Sequence, residues 1–382
     1  METIELIEII SRGEDSKTQF KENIYNAESL AQEIVALSNT EGGQIIIGVN
    51  DKTLQVKGLS KDDIHRINQL LSGAAENNVK PSINPLTENV SHPNGLIMVI
   101  TIAKGINKPY MDNKGIIWVK NGSNKGRVSS REEIQRMFQE SGLIHGDEIP
   151  ANGMGISDVD FDFFSSFFLR EFEERIENQE NSLQKILNNM NLAKGEILNI
   201  AGALLFSRHP QYRLPSFIAK AVSFPNESIE SESYIESRDI VGRVSDIFQQ
   251  SISFILSNIP HIQNNQSINS VGEPMVPKIV WEELIANALI HRDYFIQAPI
   301  RILVFKNRVE IITPGHLPNN LTIENIKSGN SNIRNPIMAS FATKLLPYRG
   351  IGSGIRRALK AYPRIEFFDD RENNLFKSII YY

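Results

Sequence analysis

The segment that most constrains this chain is residues 281–294, which read as one amphipathic helix. Glu283, Asn287 and His291 are spaced four residues apart, so a helix places them on one face. Further along the chain, the run Gly350-Ile351-Gly352-Ser353-Gly354 predicts a glycine turn that opens a second helix. A carboxylate and an amide on one helix, beside backbone N–H groups at another helix start, are typical of a magnesium–nucleotide site.

Composition narrows the class of protein without deciding it. The chain has 382 residues, which is enough for two or three domains, and its formal net charge is -5. A nucleic-acid surface would therefore have to be a local feature. The chain has no cysteine, which excludes disulfides and thiolate chemistry. No apolar run reaches about 18 residues, so we expect a cytoplasmic protein with no membrane partner.

Glycine, proline and polar runs predict three domains. Residues 142–156 contain four glycines and one proline and predict a linker. Residues 259–278 contain three prolines and many polar residues, and they predict a second linker or a mobile loop. The predicted domains are 1–141 of mixed structure, 142–278 as a mainly helical connector, and 279–382 as a mixed unit. The expected fold class is α/β, of the α+β kind.

Hydrophobic periodicity places the main elements. A helix over 27–40 ends at a glycine pair, and a buried strand over 44–49 follows it. An aromatic cluster in the middle segment is expected to be core; it consists of Phe161, Phe163, Phe164, Phe167 and Phe168. The other predicted helices are 62–76, 132–138 and 355–361, and the other predicted strands are 96–102, 115–120, 219–224, 300–305, 308–312 and 375–382.

The run Glu283 to Ala288 resembles the N-box of the GHKL ATPases, the fold of gyrase, heat-shock chaperones and sensor histidine kinases. The resemblance implies an α/β sandwich that binds ATP and Mg²⁺. It gives Glu283 the role of general base and makes Asn287 the magnesium ligand. The glycine boxes of the family correspond to Pro314-Gly315 and the glycine turn, which implies nucleotide contacts at Gly315, Gly350, Gly352 and Gly354.

The chain departs from that family at one position. An aspartate usually stands two residues before the first-box glycine and hydrogen-bonds the adenine amino group, but Thr313 stands there in this chain. This substitution leaves open a second interpretation, in which the fold is retained without a nucleotide.

Two further runs are similar to signatures of a bacterial family described as transcriptional regulators. They are Asn287 to Tyr294 and Ser331 to Pro336. In that family a Schlafen/AlbA-type domain, described as DNA-binding, precedes a GHKL-like domain, and the resemblance spans nearly the whole chain. Arg292 is a candidate nucleotide contact through a bidentate fork to phosphate, or it pairs with a neighbouring carboxylate. We expect His291 to be a structural residue.

The N-terminal runs Glu14 to Lys21 and Leu37 to Asp51 resemble the Schlafen/AlbA-type domain. Some Schlafen proteins are nucleases that hold divalent metal with two glutamates and an aspartate. Those positions correspond to Glu14, Gln19 and the turn at Asn50-Asp51, so two of the positions carry amides. A metal-dependent nuclease is therefore an alternative function.

Seven basic residues with one acid among them give the segment from 104 to 131 a local charge excess of six. Basic side chains neutralise phosphates, and the aromatic rings of Tyr110 and Trp118 could stack on bases. The alternative is a solvated hairpin with its aromatic rings turned inward. The candidate nucleic-acid contacts are Lys104, Lys108, Lys114, Lys120, Lys125, Arg127 and Arg131.

Three hypotheses follow from these patterns. The first is a DNA-binding transcriptional regulator whose C-terminal domain binds ATP and Mg²⁺, with RNA as the other nucleic-acid partner. The second is an enzyme, either an ATPase or a metal-dependent nuclease. The third is a scaffold in which both sites are degenerate. The oligomeric state is left open, with a homo-oligomer among the options.

Overall fold

The computed structural model describes residues 2–230, 233–263, 272–318 and 321–382. Contacts divide the chain into two units, residues 1–143 and 144–382. The predicted boundary after residue 141 lies close to this division, whereas the predicted boundary after 278 lies inside the second unit. Both units mix helices and strands, so the predicted α+β class is confirmed.

The first unit is built on a four-stranded sheet in the order β1-β2-β5-β4, in which β1 and β2 are parallel and the other pairs antiparallel. Its helices are α1 (Thr3–Arg12), α2 (Ala27–Asn39), α3 (Lys61–Gly73) and α4 (Arg131–Glu140), and a π-helix (Ala74–Asn78) continues α3. Its strands are β1 (Thr18–Lys21), β2 (Gly43–Ile47), β3 (Val79–Lys80), β4 (Leu86–His92), β5 (Gly95–Ile102), β6 (Met111–Asp112), β7 (Trp118–Asn121) and β8 (Asn124–Arg127).

Strand β2 is buried on both faces, which explains its run of isoleucines. Ile45 and Ile47 pack into the core beneath α2 and α3. Ile46 faces the other way, into a smaller core with Leu6 and Ile10 of α1. A strand that is covered on both sides reads as a continuous apolar run, so the predicted strand is confirmed.

The turn between α2 and β2 depends on its glycines. Helix α2 begins where the Asn26 side chain accepts hydrogen bonds from the first-turn N–H groups of Glu28 and Ser29. After the helix, Gly42 has a φ of +73°, and a Cβ there would lie 2.6 Å from the backbone nitrogen of Lys104. A larger residue would therefore push the chain away from β5.

The second unit is built on a six-stranded sheet in the order β13-β12-β16-β17-β19-β18, antiparallel except for β12 and β16. Its strands are β9 (Pro150–Gly155), β10 (Ala193–Lys194), β11 (Ile197–Asn199), β12 (Ala219–Ser223), β13 (Glu236–Ile240), β14 (His261–Ile262), β15 (Glu273–Pro274), β16 (Ile300–Val304), β17 (Arg308–Pro314), β18 (Ile365–Asp370) and β19 (Leu375–Tyr381). Its helices are α5 (Phe161–Phe172), α6 (Leu183–Asn189), α7 (Ile200–Phe206), α8 (Val244–Asn258), α9 (Lys278–His291), α10 (Ile323–Lys327), α11 (Pro336–Leu345) and α12 (Gly354–Ala361).

The middle and last predicted domains share one sheet. Strands β12 and β13 come from the segment expected to be a mainly helical connector, and β12 pairs in parallel with β16 from the last segment. One hydrophobic core also runs through both segments, from Phe164 to Ile380. The assignment of residues 142–278 to a separate domain stays a prediction.

Part of the linker predicted over residues 142–156 is regular structure. Strand β9 takes up Pro150–Gly155 and forms a three-stranded sheet with β10 and β11. Its proline stands at the first position of an edge strand, where a missing N–H costs no ladder bond. In the second predicted linker, β14 pairs with β15, and residues 264–271 lie outside the described residues.

Helix α9 contains most of the segment predicted as amphipathic, but it is buried almost all round. It packs against α8, α11, α12 and β17, and of its residues only Lys278, at the start, is exposed. The middle-segment aromatic cluster is core, as expected, at Phe164, Phe167 and Phe168, whereas Phe161 is exposed.

Candidate nucleotide site

A pocket in the second unit gathers most of the residues predicted for the C-terminal site. The empty space between its lining atoms, open solvent included, is about 960 Å³. Its walls come from α9, the end of β17, the glycine turn and the start of α12. Predicted residues in its lining are Glu283, Asn287, His291, Gly315, Gly350, Gly352 and Gly354.

Helix α9 brings a carboxylate and an amide to one wall of the pocket. Glu283 is only 2% exposed, and Asn287 lies one turn further along the same face. The predicted common face of Glu283, Asn287 and His291 is therefore confirmed.

The glycine turn reaches this wall because Gly354 has no side chain. A Cβ on Gly354 would collide with Glu283 Oε2 and lie 3.5 Å from Asn287 Nδ2. The first turn of α12 can therefore lie directly against the carboxylate and the amide. Backbone N–H groups at a helix start attract anions, so this wall can receive a phosphate.

An arginine from the first turn of α12 faces the carboxylate. Arg357 Nη2 lies 2.7 Å from Glu283 Oε1. The two groups form an ion pair without the geometry of a hydrogen bond. Among the described residues, neither Glu283 Oε1 nor Arg357 Nε has a hydrogen-bond partner. Burial raises the pKa of Glu283, and the charge of Arg357 opposes that rise. A buried carboxylate with a raised pKa is a better proton acceptor.

The floor of the pocket is largely apolar. Along β17, Ile311 and Thr313 point to the pocket side, while Ile312 packs on the opposite face of the sheet. Phe367 of β18 and Phe376 of β19 complete this floor. An apolar surface and charged side chains in one pocket would suit the base and the phosphates of a nucleotide.

The polar lining of the pocket fits a magnesium–nucleotide complex better than a metal held by protein alone. The described part of the chain contains no group of three or more His, Asp or Glu side chains that could hold a metal. Nucleotide-bound Mg²⁺ takes most of its ligands from phosphates and water. The Asn287 side chain lines the pocket and could supply one oxygen. Arg349 and Arg357 also line it and suit anionic phosphates.

Arg292 does not fit its predicted phosphate contact. It is 2% exposed, and its guanidinium donates to the backbone oxygens of Ile296, at 3.1 Å, and Ala298, at 2.7 Å. The same group lies over the ring of Phe217. Arg292 is absent from the pocket lining and holds the chain after α9 in place.

His291 lines the pocket, so its expected structural role stays a prediction. Its Nε2 lies 3.3 Å from the Tyr348 hydroxyl, and burial lowers the pKa of His291 to about 4. The imidazole is therefore neutral near pH 7. Its Nε2 can then either donate a hydrogen bond to the Tyr348 hydroxyl or accept one from it.

The first unit does not assemble the carboxylates of a nuclease site. Glu14 accepts hydrogen bonds from the Gln19 amide and from Phe20 N. The Asn50 amide donates to Glu22 at 2.7 Å, and Asp51 is exposed. The metal implied by the nuclease resemblance therefore does not fit these residues.

The seven basic residues of the first unit do not form one exposed surface. Lys108 and Lys120 are buried. Three others form ion pairs within the unit, Lys104 with Glu41, Lys114 with Glu28 and Lys125 with Glu33. Arg127 and Arg131 are exposed. Because acids from outside the counted segment pair with these lysines, the local excess of six overstates the charge presented to a ligand.

The two aromatic residues of the same segment turn inward. Tyr110 is buried in the core beneath α2, and the Trp118 indole N–H donates to Asp112 at 2.8 Å. Of the two interpretations of these rings, the structure supports the hairpin with inward aromatics.

Sequence reasoning missed several residues of the pocket, among them the polar residues Arg349, Arg357 and Tyr348. Only Arg357 had a sequence signal, because it stands three residues after Gly354 and so shares a helix face with it. Its partner Glu283 is far away in the sequence, and the spacing gave no indication of the pair.

Two segments of the chain match known protein families. Residues 14–129 match the family described as "Schlafen, AlbA_2". Residues 297–369 match the HATPase_c_4 family, described as "Putative ATP-dependent DNA helicase recG C-terminal". The second match contains the glycine turn but begins after Glu283 and Asn287. A search of curated proteins gives no match.

One solved structure is similar to nearly the whole chain. It is the crystal structure of the DIP2311 protein from Corynebacterium diphtheriae, with 18% identity over 99% of this chain and 80% of that chain, and a TM-score of 0.46.

In the ranges that the structure describes, we find no helix with both the length and the apolar character needed to cross a membrane. The two family matches show that the chain carries a Schlafen AlbA_2 domain at its N-terminus and an ATPase-like domain of the recG C-terminal type at residues 297–369, in the order that the family resemblance implied.

Proposed function

We propose that the second unit binds ATP with Mg²⁺ in the pocket between α9 and the glycine turn. The observation that carries the proposal is the direct approach of Gly354 to Glu283 and Asn287, with Arg357 beside them. In this arrangement Asn287 would be a ligand of the metal, and the first turn of α12 would receive the phosphates. Bound Mg²⁺ would neutralise part of the phosphate charge.

The test is calorimetric titration of the full chain with ATP in the presence of Mg²⁺. We expect saturable binding that Asn287→Ala weakens at least tenfold, because the metal loses its only protein amide ligand. The matched control is Asn189→Ala, which removes an exposed asparagine at the end of α6 in the same unit. Equal binding by the wild type and Asn287→Ala would contradict the proposal.

ATP hydrolysis is a second candidate, favoured by the buried carboxylate of Glu283 and its raised pKa. Glu283 would accept a proton from the attacking water, and Arg357 would keep the carboxylate in position. Release of phosphate that is lost in Glu283→Gln, with ATP binding retained, would support this activity. Binding without any release of phosphate would leave the domain as a sensor of nucleotide.

We propose further that the first unit binds nucleic acid and that the whole chain is a nucleotide-responsive DNA-binding regulator of transcription. The Schlafen AlbA_2 match supports nucleic-acid binding, and exposed Arg127 and Arg131 are the candidate phosphate contacts in that unit. The measurement is the affinity for short DNA duplexes and RNA, with and without ATP and Mg²⁺, at two salt concentrations. Weaker binding at high salt is expected for phosphate contacts. An affinity that ATP leaves unchanged would contradict the regulatory part.

A further inference from the structure

Lys120 is the centre of a buried cluster of polar and charged side chains in the first unit. Only 1% of its side chain is exposed. Its ammonium donates a hydrogen bond to Gln19 Oε1 at 2.6 Å and another to the backbone oxygen of Ser123. The same ammonium lies 4.0 Å from Glu33 Oε2. A buried ammonium requires such partners, because removal from water penalises the charged form.

Gln19 joins this ammonium to a carboxylate. The Nε2 of Gln19 donates to Glu14 Oε1, which also accepts the backbone N–H of Phe20 at 2.7 Å. A carboxylate at position 19 would have no N–H to donate and would place a second negative charge beside Glu14. Glutamine is therefore the side chain that suits a site with Glu14 on one side and an ammonium on the other.

Glu33 is the second carboxylate of the cluster. Its side chain is 9% exposed, Lys125 Nζ lies 3.2 Å from Oε1, and Oε2 has no hydrogen-bond partner among the described residues. Burial lowers the pKa of Lys120, whereas the charges of Glu33 and Glu14 raise it. The charge of these two carboxylates is thus balanced from within the chain.

We infer that the ammonium of Lys120 takes the place of a divalent cation among Glu14, Gln19 and Glu33, so that this unit is complete without a metal. A divalent ion at the same position would meet the positive charge of Lys120 at close range. The carboxylates that a nuclease metal would need are not collected there either. Any ligand of the first unit would therefore be bound without a metal at this position.

The inference is tested on the full chain without nucleotide or nucleic acid, so its failure is separate from that of the proposed function. We expect Lys120→Met to lower the melting temperature by roughly 10 °C, because Gln19 loses its ammonium donor and the charges of Glu14 and Glu33 are then offset less, although Lys125 still lies beside Glu33. Millimolar Mn²⁺ should restore at least half of that loss in the variant, whereas Mn²⁺ and EDTA should give the same melting temperature in the wild type. Lys114→Met, which removes an exposed lysine paired with Glu28, is the control and should show little change in either condition.

A second variant covers the case in which Lys120→Met does not fold. The double substitution Gln19→Glu with Lys120→Gln restores a carboxylate and removes the cation, so Mn²⁺ should bind it with a measurable heat. Mn²⁺ binding by the wild type as strong as by the double variant would overturn the inference. A lack of Mn²⁺ response in both the single and the double variant would also overturn it.

Discussion

Asp147 is a fully buried carboxyl group that supports the start of helix α11. Its Oδ2 accepts the backbone N–H of Met338 at 2.8 Å, and its Oδ1 has no hydrogen-bond partner among the described residues. Burial raises the pKa of Asp147 to about 6. An acid whose folded-state pKa is raised binds protons more tightly in the folded state. The unfolding free energy therefore falls as the pH rises from about 4 to about 6, and the loss persists above that range.

We expect Asp147→Asn to remove this pH dependence, since the asparagine oxygen can still accept the Met338 N–H without carrying a charge. The unfolding free energy of the variant relative to the wild type should rise by on the order of 2–3 kcal/mol between pH 4 and pH 7. Denaturant unfolding at several pH values measures this difference, with Asp162→Asn, at an exposed position of α5, as the control. A difference that does not change with pH would contradict the prediction.

The predictability of the site differs from residue to residue. Glu283, Asn287 and His291 were predictable because a helix fixes which residues share a face. The pairing of Glu283 with Arg357 depends on how α9 and α12 pack, which no local spacing encodes. Lys120 was predicted to contact nucleic acid, but it is buried, because its partner Gln19 comes from a strand far earlier in the chain.

At the scale of elements, the two family signatures in the second unit hold the end of helix α9. The Asn335 amide donates to the backbone oxygens of Ile290 and Arg292, each at 2.8 Å. The Tyr294 hydroxyl donates to Leu289 O at 2.8 Å. These bonds satisfy carbonyl groups that the helix end leaves unpaired. The signatures therefore hold the end of α9 in place, and the first of them also brings Asn287 to the pocket, whereas Glu283 and Arg357 lie outside both signatures.

Other residues of the same two signatures hold the first glycine box, Pro314-Gly315, in place. The backbone N–H of Asp293 donates to Pro314 O at 2.8 Å, and Arg334 donates to His316 O at 2.7 Å. The end of β17 is thereby tied to the end of α9. The wall that carries Asn287 and the floor that carries Thr313 should therefore keep a fixed separation.

Elements predicted from periodicity were accurate where the local pattern was strong. Helix α2, strand β2 and strand β5 lie within a residue or two of their predicted bounds. Glycine and proline were less informative over residues 142–156, where they shape a strand edge and its turns within packed structure. Composition alone cannot distinguish a solvent-exposed linker from such a segment.

At the scale of the whole molecule, the two units differ in how their parts depend on each other. The first unit has its own sheet and its own cores. In the second unit, the sheet takes strands from both sides of the predicted boundary after residue 278. This sharing was not predictable, because a parallel pair such as β12 and β16 joins strands far apart in sequence.

We expect a fragment of residues 144–382 to unfold cooperatively and a fragment of residues 279–382 to fail to fold. Removal of β12 and β13 would expose the edge of β16 and open the core that helices α5 to α8 complete. Circular dichroism melts show whether each of the two fragments unfolds cooperatively. A fragment of residues 1–143, which should fold, is the control. A cooperative melt of residues 279–382 would contradict the prediction.

The position of β19 in the sheet has a consequence for folding during synthesis. It pairs with β17 on one side and β18 on the other, yet it follows both in the chain. Residues 1–143 can begin to fold once they leave the ribosome, since domains generally fold as units from the N-terminus. Until residue 381 emerges, the larger sheet can extend only as far as β17, whose edge stays unpaired. This protein therefore most needs protection from aggregation while its second unit is still being synthesised.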